Sequence, residues 1–213
     1  MAAQLPNGAM IDVASSYGDA ITVTAITNAN PAVVTAASHG LLKGDYVEVK
    51  SGWNKLNEQV VRVGNVTSDT FELEGVDTSN QRNFPAGSGL GSVRQIETWT
   101  QIQQITETST DGGDAEYTEY EFLEDDYKRR IPTGYSAMSI NLTIADDPTL
   151  PGYQVLKQAK TTRDLTAIRM RLPNDSELLY NGFVALNETP TTTKGEIMTV
   201  SASLSLQNQP IRY

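Results

Sequence analysis

The stretch from residue 138 to residue 206 constrains the fold most. Between residues 198 and 206, Met198, Val200, Ala202, Leu204 and Leu206 alternate with Thr199, Ser201, Ser203 and Ser205. A period of two marks an extended strand with one oily face and one wet face. Met138, Ile140, Leu142 and Ile144 alternate in the same way with Ser139, Asn141 and Thr143. Ile168, Met170 and Leu172 alternate with Arg169 and Arg171, the turn Pro173-Asn174-Asp175-Ser176 follows, and residues 178–186 read as a further strand. Between these strands lies one segment with helical spacing. Leu150, Tyr153, Val155, Leu156 and Ala159 form a stripe behind an Asp-Asp-Pro start, which predicts a helix over residues 148–162. An aspartate caps its free N–H groups and Pro148 sits in its first turn. One short helix therefore has a sheet to cover.

The rest of the chain divides by texture. Residues 1–19 show little periodicity and read as an N-terminal arm. Residues 20–78 are short β-branched runs broken by turns about every ten residues, the pattern of a small, barrel-like all-β module. Residues 79–91, rich in Gly, Ser and Asn, read as a linker. Residues 92–213 form a second unit, opening with a strand over residues 92–105 that carries Ile96, Trp99, Ile102 and Ile105.

Within that unit, residues 106–133 stand apart as a long loop. Glu107, Asp111, Asp114, Glu116, Glu119, Glu121, Glu124, Asp125 and Asp126 face only Lys128, Arg129 and Arg130, while Tyr117, Tyr120, Phe122 and Tyr127 are interleaved. Alone, such a segment repels itself and stays mobile. Its aromatics imply that it becomes ordered against something else.

Composition narrows the chemistry. The 213 residues include no Cys and a single His, His39, so thiolate sites and sites needing two imidazoles are excluded. Only 38% of the residues are hydrophobic, low for one large core and suited to a chain that buries surface against partners. The net charge of −10 disfavours tight nucleic-acid binding. No N-terminal signal pattern and no long apolar run are present, so export and membrane insertion are not expected.

The remaining motifs resolve to structural roles. Asp111-Gly112-Gly113-Asp114, with Glu116 after it, offers oxygen ligands but lacks the spacing of a calcium loop. A carboxylate pair for glycoside hydrolysis is conceivable among the loop acids, yet acids in a loop are usually just solvated. His39 lies in a Ser-His-Gly turn without a nucleophile elbow. Gly87-Ser88-Gly89-Leu90-Gly91 is not followed by the Lys-Ser/Thr of a phosphate loop. Lys128, Arg129 and Arg130 are expected to pair with nearby acids, and Trp53 and Trp99 to pack in a core or interface. No catalytic residue, cofactor or metal site is expected, and the chain is not read as an enzyme.

The helix at residues 146–160, the strand through Met170, the run Leu179-Tyr180-Asn181-Gly182-Phe183-Val184 and the Ser/Thr-rich closing strand resemble tail tube proteins of long, non-contractile-tailed bacteriophages. Residues 26–45, with Ser38-His39-Gly40-Leu41 and Gly44-Asp45, are similar to a small β-module that recurs in phage tail proteins. Phe71-Glu72-Leu73-Glu74-Gly75-Val76-Asp77-Thr78 resembles the close of that module.

The resemblance implies a mainly β fold: a tail-tube-type β-sandwich flanked by one short helix, plus the barrel-like module. It also implies a structural virion protein that self-assembles into stacked hexameric rings, forming a hollow tube through which the genome passes. Implied partners are further copies of the chain and the tape-measure, tail-tip and tail-terminator proteins, with DNA passing through without tight binding and no membrane involved. The implied location is the virion tail, with assembly in the host cytoplasm. The family's long internal loop touches the adjacent ring. The matching residues here are Glu107, Asp114, Glu116, Tyr117, Glu119, Tyr120, Phe122, Glu124, Asp125, Asp126, Lys128, Arg129 and Arg130. The competing reading is a carbohydrate- or host-surface-binding β-module.

Overall fold

A computed structural model describes residues 8–213. Its elements are β1 (Met10–Val23), β2 (Ala25–Ile26), β3 (Ala32–Thr35), β4 (Tyr46–Ser51), β5 (Gln59–Val66), β6 (Thr70–Leu73), β7 (Gly91–Ile102), β8 (Ile105–Asp111), β9 (Ala115–Tyr120), β10 (Arg129–Tyr135), β11 (Ser139–Ala145), α1 (Pro151–Thr162), β12 (Thr166–Arg171), β13 (Glu177–Asn187), β14 (Thr199–Leu206) and β15 (Ile211–Arg212). The fold is mainly β with a single helix among the described residues, as the alternating runs require.

Two long strands, β1 and β7, form the spine. They pair antiparallel from Ile11↔Ile102 to Val23↔Gly91, with bulges between Ala14 and Ala20 that bend the ribbon. Residues 10–19, expected as part of an arm, are therefore a central strand, and residues 1–7 of that expected arm lie outside the described residues. Buried Asp12 interrupts the apolar run Ile11, Val13 and Ala14 and hid the strand. It is neutralised from β12 by Arg171 (2.8 Å) and Arg169 (3.0 Å).

One end of the spine closes into a barrel. β1 pairs β7, β1 runs through Thr24 into β2, and the order then continues β3-β6-β5-β4 and back to β7. The Thr24 N–H donates to the Thr35 carbonyl at 2.9 Å, sealing the join. Val34, Val47, Leu56, Val61, Val63, Phe71, Leu73 and Val93 fill the interior. Residues 79–91 are not a free linker. Phe84 is buried edge-on against Trp53 at 5.2 Å, and the Trp53 indole N–H donates to the Pro85 carbonyl at 2.8 Å. A few scattered apolar residues in a run rich in Gly, Ser and Asn gave no periodicity to betray this lid.

The other end is the sandwich. Its strand order is β7-β1-β12-β13-β14-β11-β8. The sheet folds back through the long β13, so Ile11, Val13 and Ile168 share one core with Ile140, Leu142, Val200, Ala202 and Leu204. The strand expected over residues 92–105 is two strands, because the chain turns a corner at Gln104, whose φ is +58°. No glycine marks that corner.

α1 lays Tyr153, Leu156 and Ala159 into the same core. It begins three residues later than Pro148 suggested. Asp147 caps a preceding turn instead, accepting from the Thr149 N–H at 3.0 Å and its hydroxyl at 2.6 Å, and Pro151 opens the helix. Gly152 lets the helix settle on β7, since a Cβ there would lie 2.5 Å from the Gln101 carbonyl oxygen.

Barrel and sandwich meet over a small third cluster, in which Val60 of the barrel packs with Ala14, Ile96, Ala167 and Leu179. Polar ties surround it. Glu48, 1% exposed, accepts from Arg94 Nε (2.7 Å) and Asn181 Nδ2 (2.9 Å). Tyr46 donates to Glu177, and the Tyr17 oxygen accepts from the Ala167 N–H at 2.8 Å. Burial pushes the Tyr17 phenol up to about 12.

Candidate assembly surface

Residues 106–133 are not an irregular loop. β8 and β11 pair from Ile105↔Ile144 to Asp111↔Ser139, and β9 and β10 pair from Ala115↔Tyr135 to Tyr120↔Arg129. The whole is one long hairpin. Its root is stitched through β11 to β14, and its outer half, the arm, forms a separate two-stranded sheet. The arm leaves the sandwich at Gly112-Gly113, with φ of +76° and +82°. A Cβ on Gly112 would lie 1.9 Å from the Ala137 carbonyl oxygen, so that kink requires glycine.

Charges that repel along the sequence are partly paired within the arm. Arg130 reaches Glu119 at 2.7 Å from the opposite strand, and Arg129 reaches Asp125 at 2.5 Å. Tyr120 packs edge-on against Phe122 at 5.5 Å, and the Arg129 guanidinium lies over the Phe122 ring. Sequence reasoning weighed the net repulsion and missed this cross-strand register.

Both faces of the arm are exposed. Tyr117, Phe122, Tyr127, Ile131 and Tyr135 all stand in solvent, and Leu123 at the tip is 109% exposed. A two-stranded hairpin is marginal by itself and this one carries apolar side chains that nothing in the chain covers.

Of the thirteen residues expected to act together, Asp114 to Arg130 lie on the arm or its tip. Glu107 does not. It sits on β8 opposite Thr143, in the main sheet.

Glu107 belongs to a second surface. Across the sandwich, Glu107, Thr143, Ser201 and Asn187 form one row, Ser109, Asn141, Ser203 and Ala185 the next, and Asp111, Ser139, Ser205 and Phe183 the third. Directly opposed residues share a face. This face is therefore a lawn of hydroxyls and amides with two carboxylates and no basic residue in its rows. It points away from the core, because the intervening Ile140, Leu142, Val184 and Leu204 point in.

His39 is buried in the barrel, its ring bridging the Thr67 carbonyl (3.1 Å) and the Leu41 N–H (3.1 Å), edge-on to Phe71. Trp99 packs edge-on against Tyr46 with Arg169 over its ring. Among the described residues, no group of three or more His, Cys, Asp or Glu could hold a metal ion. No described helix is long and apolar enough to cross a membrane.

The sequence profile of the family described as "Phage tail tube protein, TTP" matches residues 51–213. The chain belongs to the phage tail tube protein family. It is a structural protein of the phage tail, not an enzyme. The match begins within the barrel and spans the lid, the arm and the sandwich strands from β7 onward. No curated protein matches the sequence. Among solved structures, the tail tube chain is similar to one from the "Virion of native gene transfer agent (GTA) particle", at 10% identity and a TM-score of 0.43, covering 54% of this chain and 88% of that one. It is also similar to one from the "Cryo-EM structure of the anti-feeding prophage (AFP) baseplate, 6-fold symmetrised", at 11% identity and a TM-score of 0.42, covering 55% and 85%.

Proposed function

We propose that this tail tube protein assembles with copies of itself into stacked rings, six subunits to a ring as the family resemblance implies, and that the stack is the hollow conduit of the tail. The observation that carries this reading is the arm. Six large apolar side chains stand in water on a two-stranded hairpin that has no core of its own. A second copy that covers them gains burial of roughly 25 cal/mol per Å² of apolar surface and completes a sheet that one chain leaves unfinished. Asp114, Glu116, Tyr117, Glu119, Tyr120, Phe122, Glu124, Asp125, Asp126, Lys128, Arg129 and Arg130 form the contact with the neighbouring ring.

The hydroxyl face of β14, β11 and β8 is the wall of the bore, and the β13 row lies at its margin. Its carboxylates repel a polyanion and its rows offer no cation to hold one, so DNA slides past rather than sticks. The barrel packs on the outer face of β1 and β12, whereas the hydroxyl face lies beyond the other side of the shared core. The barrel, residues 20–78, therefore decorates the tube exterior. Glu107 acts on the bore wall and not in the ring-to-ring contact. Tape-measure, tail-tip and tail-terminator proteins cap and fill the tube, which is built in the host cytoplasm and ends in the virion.

Electron microscopy of the concentrated purified chain tests this. Rings or hollow tubes are the expected result. A particle of single-chain mass at every concentration would refute it.

A further inference from the structure

The arm is half of a contact, and the chain holds a matching half. β13 changes partners along its length. From Glu177 to Gly182 it pairs β12 on one side, while from Gly182 to Asn187 it pairs β14 on the other. β12 stops at Thr166, opposite Gly182, so residues 183–187 keep one main-chain edge without a strand beside it. That edge forms the floor of an open groove of about 510 Å³, walled by Phe183 on one side and by Lys160 and Arg163 at the end of α1 on the other. Phe183 is 41% exposed, in a row whose other members, Asp111, Ser139 and Ser205, are all polar.

We propose that this groove receives the tip of the arm from a second copy, with Leu123 seated against Phe183. The inference rests on the arm being an assembly contact and names its receptor. Three features select the occupant. A strand edge needs a polypeptide, because only main chain matches its row of donors and acceptors. Phe183 on the groove wall is apolar, and Leu123 is the most exposed large apolar side chain among the described residues. The charges are complementary as well. Arg163 has no carboxylate within ion-pair distance among the described residues, and Lys157 and Lys160 share the one carboxylate of Glu188 at 2.8 and 2.9 Å. At the tip, Glu121, Glu124 and Asp126 form no ion pair among the described residues, against one unpaired base, Lys128. Each surface carries the excess that the other lacks.

The chain has no cysteine, so engineered thiols report without background. The test mixes full-length L123C with full-length A185C, allows assembly, and oxidises. The expected product is a disulfide-linked dimer in the mixture, absent from either variant alone. A chain carrying both substitutions should give a ladder of higher multimers. Tubes of normal appearance without these products would overturn the docking while leaving assembly intact. Absence of tubes from the unmodified chain would instead overturn the reading on which the docking rests. A charge exchange gives a second route that does not depend on thiols. Arg163→Glu is expected to raise the concentration needed for assembly by about tenfold, the change in equilibrium constant that about 1.4 kcal/mol produces, with recovery on adding Glu124→Lys. An unchanged assembly concentration for Arg163→Glu would contradict the proposal.

Discussion

The barrel and the arm are both made of short strands, and they end in opposite states. In the barrel, β1 passes through Thr24 into β2, so each strand finds a neighbour on both sides and the hydrophobic side chains turn inward. In the arm, β9 and β10 have only each other, and Tyr117, Phe122, Leu123, Tyr127, Ile131 and Tyr135 face water. Strand propensity does not separate them. What separates them is whether the chain supplies the strands and apolar faces needed to close the structure. A unit closed within one chain folds alone, whereas a unit left open stores its remaining contacts for another molecule.

The largest expected effect comes from cutting the arm. Replacing residues 121–128 by an Asn-Gly turn shortens the hairpin at the Tyr120↔Arg129 pair. Tube formation should fall to nothing while the melting temperature barely moves. Persistent tubes would break the comparison, because the arm would then be closed in some other way. In the barrel, by contrast, Phe71→Ala empties a fully buried site and should cost about 3–5 kcal/mol in urea denaturation.

The joint between the regions comes next. Arg94→Met leaves Glu48 buried with only Asn181 as a partner, which should cost about 3 kcal/mol. Calorimetry should then show barrel and sandwich beginning to melt apart. Gly112→Val forces a branched side chain into positive φ and against the Ala137 carbonyl, so about 1–3 kcal/mol of strain is expected at the root of the arm. Its signature is a misdirected arm, with weaker assembly out of proportion to the lost stability.

The smallest effect is confined to alkaline solution. The Tyr17 and Tyr213 phenols are pushed up to about 12, chiefly by burial, from the usual value near 10. A raised folded-state value means that their contribution is complete below about pH 10 and lost as the pH rises through about 12. Urea midpoints should therefore hold to pH 10 and then fall. Tyr17→Phe should flatten part of that decline, as followed by phenolate absorbance.

How much of this was legible in the sequence depended on whether a residue's partner lay nearby. The alternation of residues 138–144 and 198–206 correctly gave the inward faces of β11 and β14, because period two needs no knowledge of the neighbour. Met198 was the exception. It stands exposed just before β14 begins. Strand β1 was hidden because Asp12 looks like a surface residue until Arg169 and Arg171, more than 150 residues away, are brought beside it. The arm's composition disclosed unmet demand, but not its form. Arg130 opposite Glu119 turns a self-repelling loop into a hairpin, and that pairing is a matter of register rather than composition. The free edge of β13 left no local mark, since Phe183 to Asn187 reads like any other strand. The edge exists only because β12 ends at Gly182's partner.

Hydrogen exchange of the arm before and after assembly tests the central claim most directly. Amides of residues 115–120, 129–131 and 133–135 should exchange within the fastest class in the free chain, while those of β5 and β6 in the barrel are protected. On assembly the arm amides should slow by several orders of magnitude and the barrel amides should not change. Arm amides already as protected as the barrel in the free chain, or still fast in the tube, would contradict the account.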